Sequence, residues 1–161
     1  MTVIHIRPAR RVDAALILGF IRELAEYERL AHEVVATPAD LERSLFGDSP
    51  YAHALIAETA GEAVGFAVYF FNFSTFVGRP GLYLEDLFVR PASRGHGVGR
   101  ALLQHLAAIA LERGCARLEW AVLDWNEPAI RFYRSLGARA NDDWTIYRVV
   151  GEALARLAAG A

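Results

Sequence analysis

Val89-Arg90-Pro91-Ala92-Ser93-Arg94-Gly95-His96-Gly97-Val98-Gly99-Arg100 is a glycine-rich passage between two apolar runs, and the fold turns on how it is read. The run before it, Leu82 to Val89, has the apolar content of a strand. The run after it, Val98 to Arg113, carries Leu102, Leu103, Leu106, Ile109 and Ala110 at helical spacing and stops at Gly114. A strand, a glycine loop and a helix in that order present unpaired backbone N–H groups at the positive end of a helix dipole. Glycine lets the backbone come close to a ligand and take positive φ. Arg94 and Arg100 add charge at the two ends, so the passage suits an anion such as a phosphate. Taken alone, the same residues also suit a turn that merely caps a helix. Two other glycine motifs are excluded by spacing. A dinucleotide fingerprint begun at Gly95 would need glycine where Arg100 stands, and a P-loop needs a lysine, which the chain lacks altogether.

Outward from the loop, the remaining elements follow in a simple order. Val3 to Arg7 reads as a strand closed by Pro8. Asp13 is placed to N-cap a helix that runs to about Leu30 on Leu16, Phe20, Leu24 and Tyr27. Thr37-Pro38-Ala39-Asp40 opens a short helix ending near Gly47, with Thr at the N-cap and Pro at the first helical position. Ala52 to Glu58 and Ala63 to Phe71 form a hairpin about Thr59-Ala60-Gly61-Glu62. Beyond Gly114, Arg117 to Leu123 is a strand, Asn126-Glu127-Pro128 opens a helix ended by Gly137, and Trp144 to Val150 reads as a last strand. Glu152 to Leu157 fits a short terminal helix. The order β-α-α-β-β-β-α-β-α-β implies one α/β domain over residues 1–161, built on a mixed sheet with helices on its faces.

Composition narrows the function. A chain of 161 residues with 54% apolar content has material for a single well-packed core. A net charge of −2, with no basic run, gives no general attraction to nucleic acid or to an anionic membrane, so neither is expected as a partner. All 17 basic residues are arginine, a bias in keeping with the heavy use of alanine in a GC-rich genome. The single cysteine, Cys115, excludes an intrachain disulfide and a cysteine-based metal site, and reads as a buried structural thiol. His5, His32, His53, His96 and His105 show no ligand spacing, so no metal is expected. The N-terminus lacks a signal-peptide apolar run, and the most apolar stretch, Gly65 to Phe73, is too short to span a bilayer as a helix. A cytoplasmic enzyme or binding module is the expectation.

Arg94-x-x-Gly97-x-Gly99 resembles the Arg/Gln-x-x-Gly-x-Gly/Ala signature of the GNAT superfamily of N-acetyltransferases, and it sits between strand and helix as it does in that family. Further blocks resemble the diamine acetyltransferases, a subfamily that includes spermidine/spermine and thialysine acetyltransferases. These are Ile6-Arg7-Pro8, Glu23-Leu24-Ala25-Glu26-Tyr27-Glu28, Leu82-Tyr83-Leu84-Glu85-Asp86-Leu87-Phe88-Val89, Trp125-Asn126-Glu127-Pro128, and Phe132-Tyr133 with Gly137. They cover most of the chain in order. The resemblance implies a single-domain α/β GNAT fold, with a mixed, mostly antiparallel sheet splayed at an acetyl-CoA cleft and helices on both faces. It also implies acetyl-CoA as co-substrate and a homodimer involving the C-terminal strand and the region of Trp144.

Acetyl transfer to an amine requires removal of a proton from the amine, polarisation of the thioester and protonation of the departing thiolate. A lysine-like amine with a pKa of about 10.4 is neutral in roughly one molecule in a few thousand at pH 7, so a base beside a cation-binding site helps. The resemblance assigns the roles. Glu85 is the general base acting through a water, and Asp86 is its substrate-site neighbour, a bulge in the strand turning both toward the cleft. The backbone of Leu87, Phe88 and Val89 pairs with the pantetheine arm, and one of these N–H groups polarises the thioester. Arg94, Gly95, His96, Gly97, Val98, Gly99 and Arg100 hold the pyrophosphate. Asn126 binds the cofactor arm, Pro128 and Ala129 line its path, and Tyr133 protonates the thiolate. Tyr27 and Glu28 match the positions that bind the acceptor.

One stretch departs from the subfamily. An acidic residue and a tryptophan are expected before the turn that precedes the Glu-Asp strand, where this chain has Ser74-Thr75-Phe76. The loss of that carboxylate favours a short diamine or a thialysine-like acceptor over a long polyamine. An acetyltransferase acting on a protein amine or an antibiotic, and a non-catalytic acyl-CoA sensor, are the alternative functions.

Overall fold

Five strands lie side by side in chain order in the computed structural model of the chain, which describes residues 3–160. β1 (Ile4–Pro8), β2 (His53–Thr59), β3 (Glu62–Ser74) and β4 (Arg79–Val89) pair antiparallel, and β4 pairs parallel with β5 (Leu118–Trp120). The sheet is therefore mixed, as the element order implies, and mostly antiparallel, as the family resemblance implies. It belongs to a unit that ends at Leu123, while the residues from Asp124 onward form a second unit.

Register decides what each face of the sheet carries, because paired residues point the same way. Ala54, Ile56, Phe66, Val68 and Phe88 share one face. On it pack Ile17, Phe20 and Leu24 from α1 (Ala14–Tyr27) and Leu45 from α2 (Pro38–Phe46). Ile17, Phe20 and Leu24 recur at helical spacing, which is why this segment forms an amphipathic helix. Phe20, with no exposed surface, stacks on Phe66 at 5.2 Å between ring centres and tilts against Phe88 at 6.5 Å. Burying a phenylalanine side chain of this kind stabilises the fold by about 1.5–3 kcal/mol. The opposite face carries Leu55, Ala57, Ala67, Leu82 and Leu84, all at 2% exposure or less. α3 (Val98–Glu112) covers it with Val98, Leu102 and Leu106. Helices thus lie on both faces.

Local chemistry sets the helix starts. Thr37 and Asp40 form the expected capping box at α2: the Asp40 N–H donates to the Thr37 hydroxyl at 3.2 Å and the Thr37 N–H to the Asp40 carboxylate at 2.8 Å. Asp13 does stand at the N-cap of α1, but its side chain makes no cap hydrogen bond. Its carboxylate accepts instead from the Arg7 guanidinium at 2.8 and 3.1 Å and from the Arg10 N–H at 2.7 Å. Arg7 also donates to Glu58 at 2.8 Å, tying β1, β2 and the start of α1 together. α1 ends at Tyr27, earlier than the expected Leu30. Arg29 takes φ 63°, and the Leu30 N–H turns back to the Ala25 carbonyl at 2.8 Å. Such a left-handed cap ordinarily belongs to glycine.

In the second unit, α4 (Glu127–Ser135) is capped by Asn126 and closed by Gly137 at φ 87°, and α5 (Gly151–Ala158) follows. Residues 144–150, expected as a strand, pair with no strand among the described residues. Alternating side chains are only half of a strand, which exists as such when a neighbour completes its backbone hydrogen bonds. β5 is likewise shorter than the expected Arg117 to Leu123, with three residues in the ladder. No helix of the described residues is long and apolar enough to cross a membrane.

Candidate active site

β4 changes character at Glu85. Tyr69 faces Leu84 across the β3–β4 ladder and Val68 faces Asp86, so Glu85 is an extra residue bulged out of β4. In an unbroken strand Leu84, Asp86 and Phe88 would share a face. The bulge moves Leu84 to the α3 side and sets Asp86 and Phe88, with Tyr83, on the α1 side. β4 and β5 also part company here, because their pairing covers only Leu82–Leu84 against Leu118–Trp120. From Glu85 to Val89, β4 pairs with β3 on one side and has no strand on the other among the described residues. That open edge, which includes Leu87, Phe88 and Val89, offers backbone groups to an extended ligand in the manner of an added strand.

The glycine loop ends the same strand. Gly95 has φ 79° and Gly97 φ 85°, in the left-handed region where side chains are strained, and a Cβ on Gly95 would meet nothing within 4 Å. Gly97 is the N-cap of α3 and supplies no side-chain cap, so the first-turn N–H groups of Val98, Gly99 and Arg100 are left for a ligand. Gly95, His96, Gly97 and Arg100 are exposed. The arrangement fits a pyrophosphate held by backbone donors at a helix N-terminus. Arg94 points elsewhere. Its Nε donates to the Val89 carbonyl at 2.8 Å, and its guanidinium carbon lies 5.0 Å from the Tyr27 ring centre and 5.3 Å from that of Phe88.

Three of the sequence-derived carboxylates act on one another. Burial, and then the charges of Glu85 and Glu28, push the half-buried Asp86 carboxyl up to about 6. Burial also raises Glu28, beside Tyr27 at the end of α1. No residue described forms an ion pair with Glu28, Glu85 or Asp86. Like charges brought together without a cation leave a site of negative potential suited to an amine. The sequence did not single out Tyr83 or Glu119. Burial and the charges of Glu85 and Glu119 raise the Tyr83 phenol, although Glu119 is itself paired with Arg117 at 2.8 Å. No motif marks these two residues; only the parallel pairing of β4 with β5 reveals them.

Asn126, Pro128, Ala129 and Tyr133 belong to the second unit. Asn126 is buried, and its side-chain oxygen accepts from the Ala129 N–H at 3.4 Å, capping the helix that the sequence has it open. Pro128 stands in the first turn of α4, where its missing N–H costs nothing. Tyr133 is half-buried further along, its ring 5.6 Å from Phe132. In the β3–β4 turn, Ser74 is buried and Phe76 is 97% exposed, so the segment that departs from the subfamily presents an apolar ring to solvent instead of a carboxylate. Among the described residues no cluster of His, Cys, Asp and Glu could hold a metal ion.

A bulged strand whose far edge is open, followed by a glycine loop that starts a helix, agrees with the acetyl-CoA cleft that the sequence resemblance implies for an N-acetyltransferase. The profile of the Acetyltransferase (GNAT) family matches residues 20–138, and the chain belongs to that family of acetyltransferase enzymes, which use acetyl-CoA as co-substrate. Among its relatives, the thialysine N-epsilon-acetyltransferase of Bos taurus is 41% identical over 169 residues, covering 98% of this chain and 99% of that protein. The spermidine/spermine N(1)-acetyltransferase-like protein 1 of Homo sapiens is 36% identical over 98% of this chain, a region that makes up 24% of the human protein. Of solved structures, an integron cassette protein from the mobile metagenome of V. cholerae superposes with a TM-score of 0.79 at 30% identity, covering 96% of this chain and 97% of the other.

Proposed function

We propose that this enzyme transfers the acetyl group of acetyl-CoA to a primary amine of a small cationic acceptor, a diamine or a thialysine-like amino acid, by direct attack in a ternary complex. The observation that carries the reading is the uncompensated trio Glu28, Glu85 and Asp86 beside the open edge of β4. Similarity to thialysine and spermidine/spermine acetyltransferases supports the same acceptor class. The replacement of the expected acidic turn by Ser74-Thr75-Phe76 favours a short acceptor over spermine.

When bound, acetyl-CoA supplies an acetyl thioester already activated for attack. The chain's own groups do the rest. Gly95 to Arg100 hold the pyrophosphate through backbone donors, and Arg94 joins the loop by its backbone. The Leu87–Val89 edge aligns the arm, and one of its N–H groups steadies charge on the carbonyl oxygen. Tyr27 and Glu28 bind the acceptor. Glu85, exposed at the bulge, takes the amine proton through a water, and Asp86, ionised above about pH 6, holds the cation beside it. Asn126, Pro128 and Ala129 position the arm, and Tyr133 returns a proton to sulfur.

The whole chain acts as a single catalytic domain. A homodimer is supported by the second unit, where Trp144, Ile146, Tyr147, Val150, Leu154 and Leu157 are each more than half exposed, an apolar surface that a second copy would cover. A cytoplasmic setting agrees with the one free cysteine.

A thiol-release assay over putrescine, spermidine, spermine, thialysine and a peptide lysine tests the reading. Turnover is expected with thialysine or putrescine ahead of spermine and the peptide. Tyr133→Phe is expected to lower turnover about 100-fold or more with acetyl-CoA affinity nearly intact. Acetyl-CoA binding without turnover of any amine would instead make the protein a sensor.

A further inference from the structure

Arg94 opens the glycine loop, yet its side chain turns back from it. The short turn Pro91–Ser93, closed by the Arg94 N–H on the Pro91 carbonyl at 3.2 Å, fixes where the side chain starts. The guanidinium then meets three things at once. Its Nε donates to the last carbonyl of β4, at Val89, at 2.8 Å. Its plane lies over the buried ring of Phe88 on β4 and over the ring of Tyr27 at the end of α1. A delocalised, weakly hydrated cation stacks on aromatic faces where an ammonium would keep its water, so this is a contact that arginine makes and lysine does not reproduce.

Tyr27 is the last residue of α1. The helix stops there through a left-handed arginine at position 29, and Tyr27 is 37% exposed. Glu28 follows directly, and its charge is one of those that raise Asp86. A displacement of Tyr27 therefore moves a carboxylate of the acceptor site.

We infer that Arg94 is a positioning residue for the acceptor: its guanidinium clamps the Tyr27–Glu28 end of α1 onto β4, so that ordering of the pyrophosphate loop also orders the amine site. This rests on the reading that Tyr27 and Glu28 bind the acceptor. The role is separate from holding phosphate, which falls to the backbone N–H groups. Because coupling between two sites is reciprocal, bound coenzyme A should tighten amine binding and bound amine should tighten coenzyme A.

The test uses the intact enzyme with whichever of thialysine and putrescine turns over faster. Arg94→Gln, Arg94→Lys, Tyr27→Leu and Arg94→Gln/Tyr27→Leu are compared by steady-state kinetics and by coenzyme A titration. Arg94→Gln is expected to raise the amine KM about fivefold, the scale of a lost stacked cation, with kcat and the coenzyme A Kd changed less than about threefold. Arg94→Lys, which keeps the charge and loses the planar group, should match it in amine KM. Tyr27→Leu should raise the amine KM similarly, and the double variant should be little worse than Tyr27→Leu alone. A tenfold weaker coenzyme A Kd with unchanged amine KM would overturn the inference, as would effects of Arg94 and Tyr27 that multiply in the double variant. Should Tyr27→Leu itself leave the amine KM unchanged, the acceptor assignment falls and the inference with it. Failure of the inference alone would show as a Tyr27 effect without an Arg94 effect.

Discussion

Asp13 and Asp86 are the same residue type, withdrawn from solvent in the same unit, and the protein treats them in opposite ways. Asp13, 7% exposed, accepts a fork of two hydrogen bonds from Arg7 and a third from the Arg10 N–H. The Arg7 hydrogen bond holds its carboxyl below the ordinary carboxylate range despite burial. Asp86 pairs with no cation among the described residues, and burial together with the charges of Glu85 and Glu28 lifts it to about 6. Burying a charge is unfavourable until something compensates it. At Asp13 the chain supplies the compensation itself and gains a joint between β1, β2 and α1. At Asp86 the compensation is left to come from outside, which is what a site for a cationic amine requires.

The largest effect is expected from breaking the first arrangement. Arg7→Leu strands the Asp13 carboxylate and removes the Glu58 link, and should destabilise the protein by about 3–5 kcal/mol in urea unfolding at pH 7. A loss below about 1 kcal/mol would mean that Asp13 finds other partners and that the contrast with Asp86 is weaker than drawn. Asp86→Asn should act in the opposite direction. With a folded-state pKa of about 6 against an ordinary 3.8, Asp86 stabilises the fold in its protonated form, and that contribution is lost as pH rises through 6. The asparagine variant, which has no proton to lose, should therefore be more stable than the parent at pH 8 by about 2–3 kcal/mol at most. The gap should close as pH falls to 4. The same variant should lose kcat/KM for the amine, so that stability and activity move apart. An asparagine variant that is less stable at pH 8 would show Asp86 to be a structural residue like Asp13.

Much of this site can be read along the chain, because its parts are local. The loop from Arg94 to Arg100, the Asn126-Glu127-Pro128 helix start and the Glu85-Asp86 pair are short segments that carry the family resemblance, and their roles are what that resemblance implies. What escaped the reading depends on registers between distant segments. Leu82, Leu84, Asp86 and Phe88 alternate as if in one unbroken strand, so the bulge is implied only by the family resemblance, and the β3–β4 register is what places it at Glu85. Asp13 stands at a helix start, and only the folded chain shows Arg7 and Glu58 drawing it away from a capping role. Tyr83 and Glu119 become neighbours through a parallel pairing of three residues. Trp144 to Val150 has the alternation of a strand and lacks, within the described chain, the partner that would make it one.

The most direct measurement is the ionisation of Asp86 itself, followed by carboxyl-resolved NMR on the coenzyme A complex with and without a saturating amine acceptor. Without amine the carboxyl should titrate near pH 6, as burial and the charges of Glu85 and Glu28 require. With putrescine or thialysine bound, a cation within a few ångströms should lower it by about 1–3 units. A carboxyl that titrates near 4 in the absence of amine, or one that the amine leaves unmoved, would contradict the claim that this cluster is held ready for a cationic acceptor.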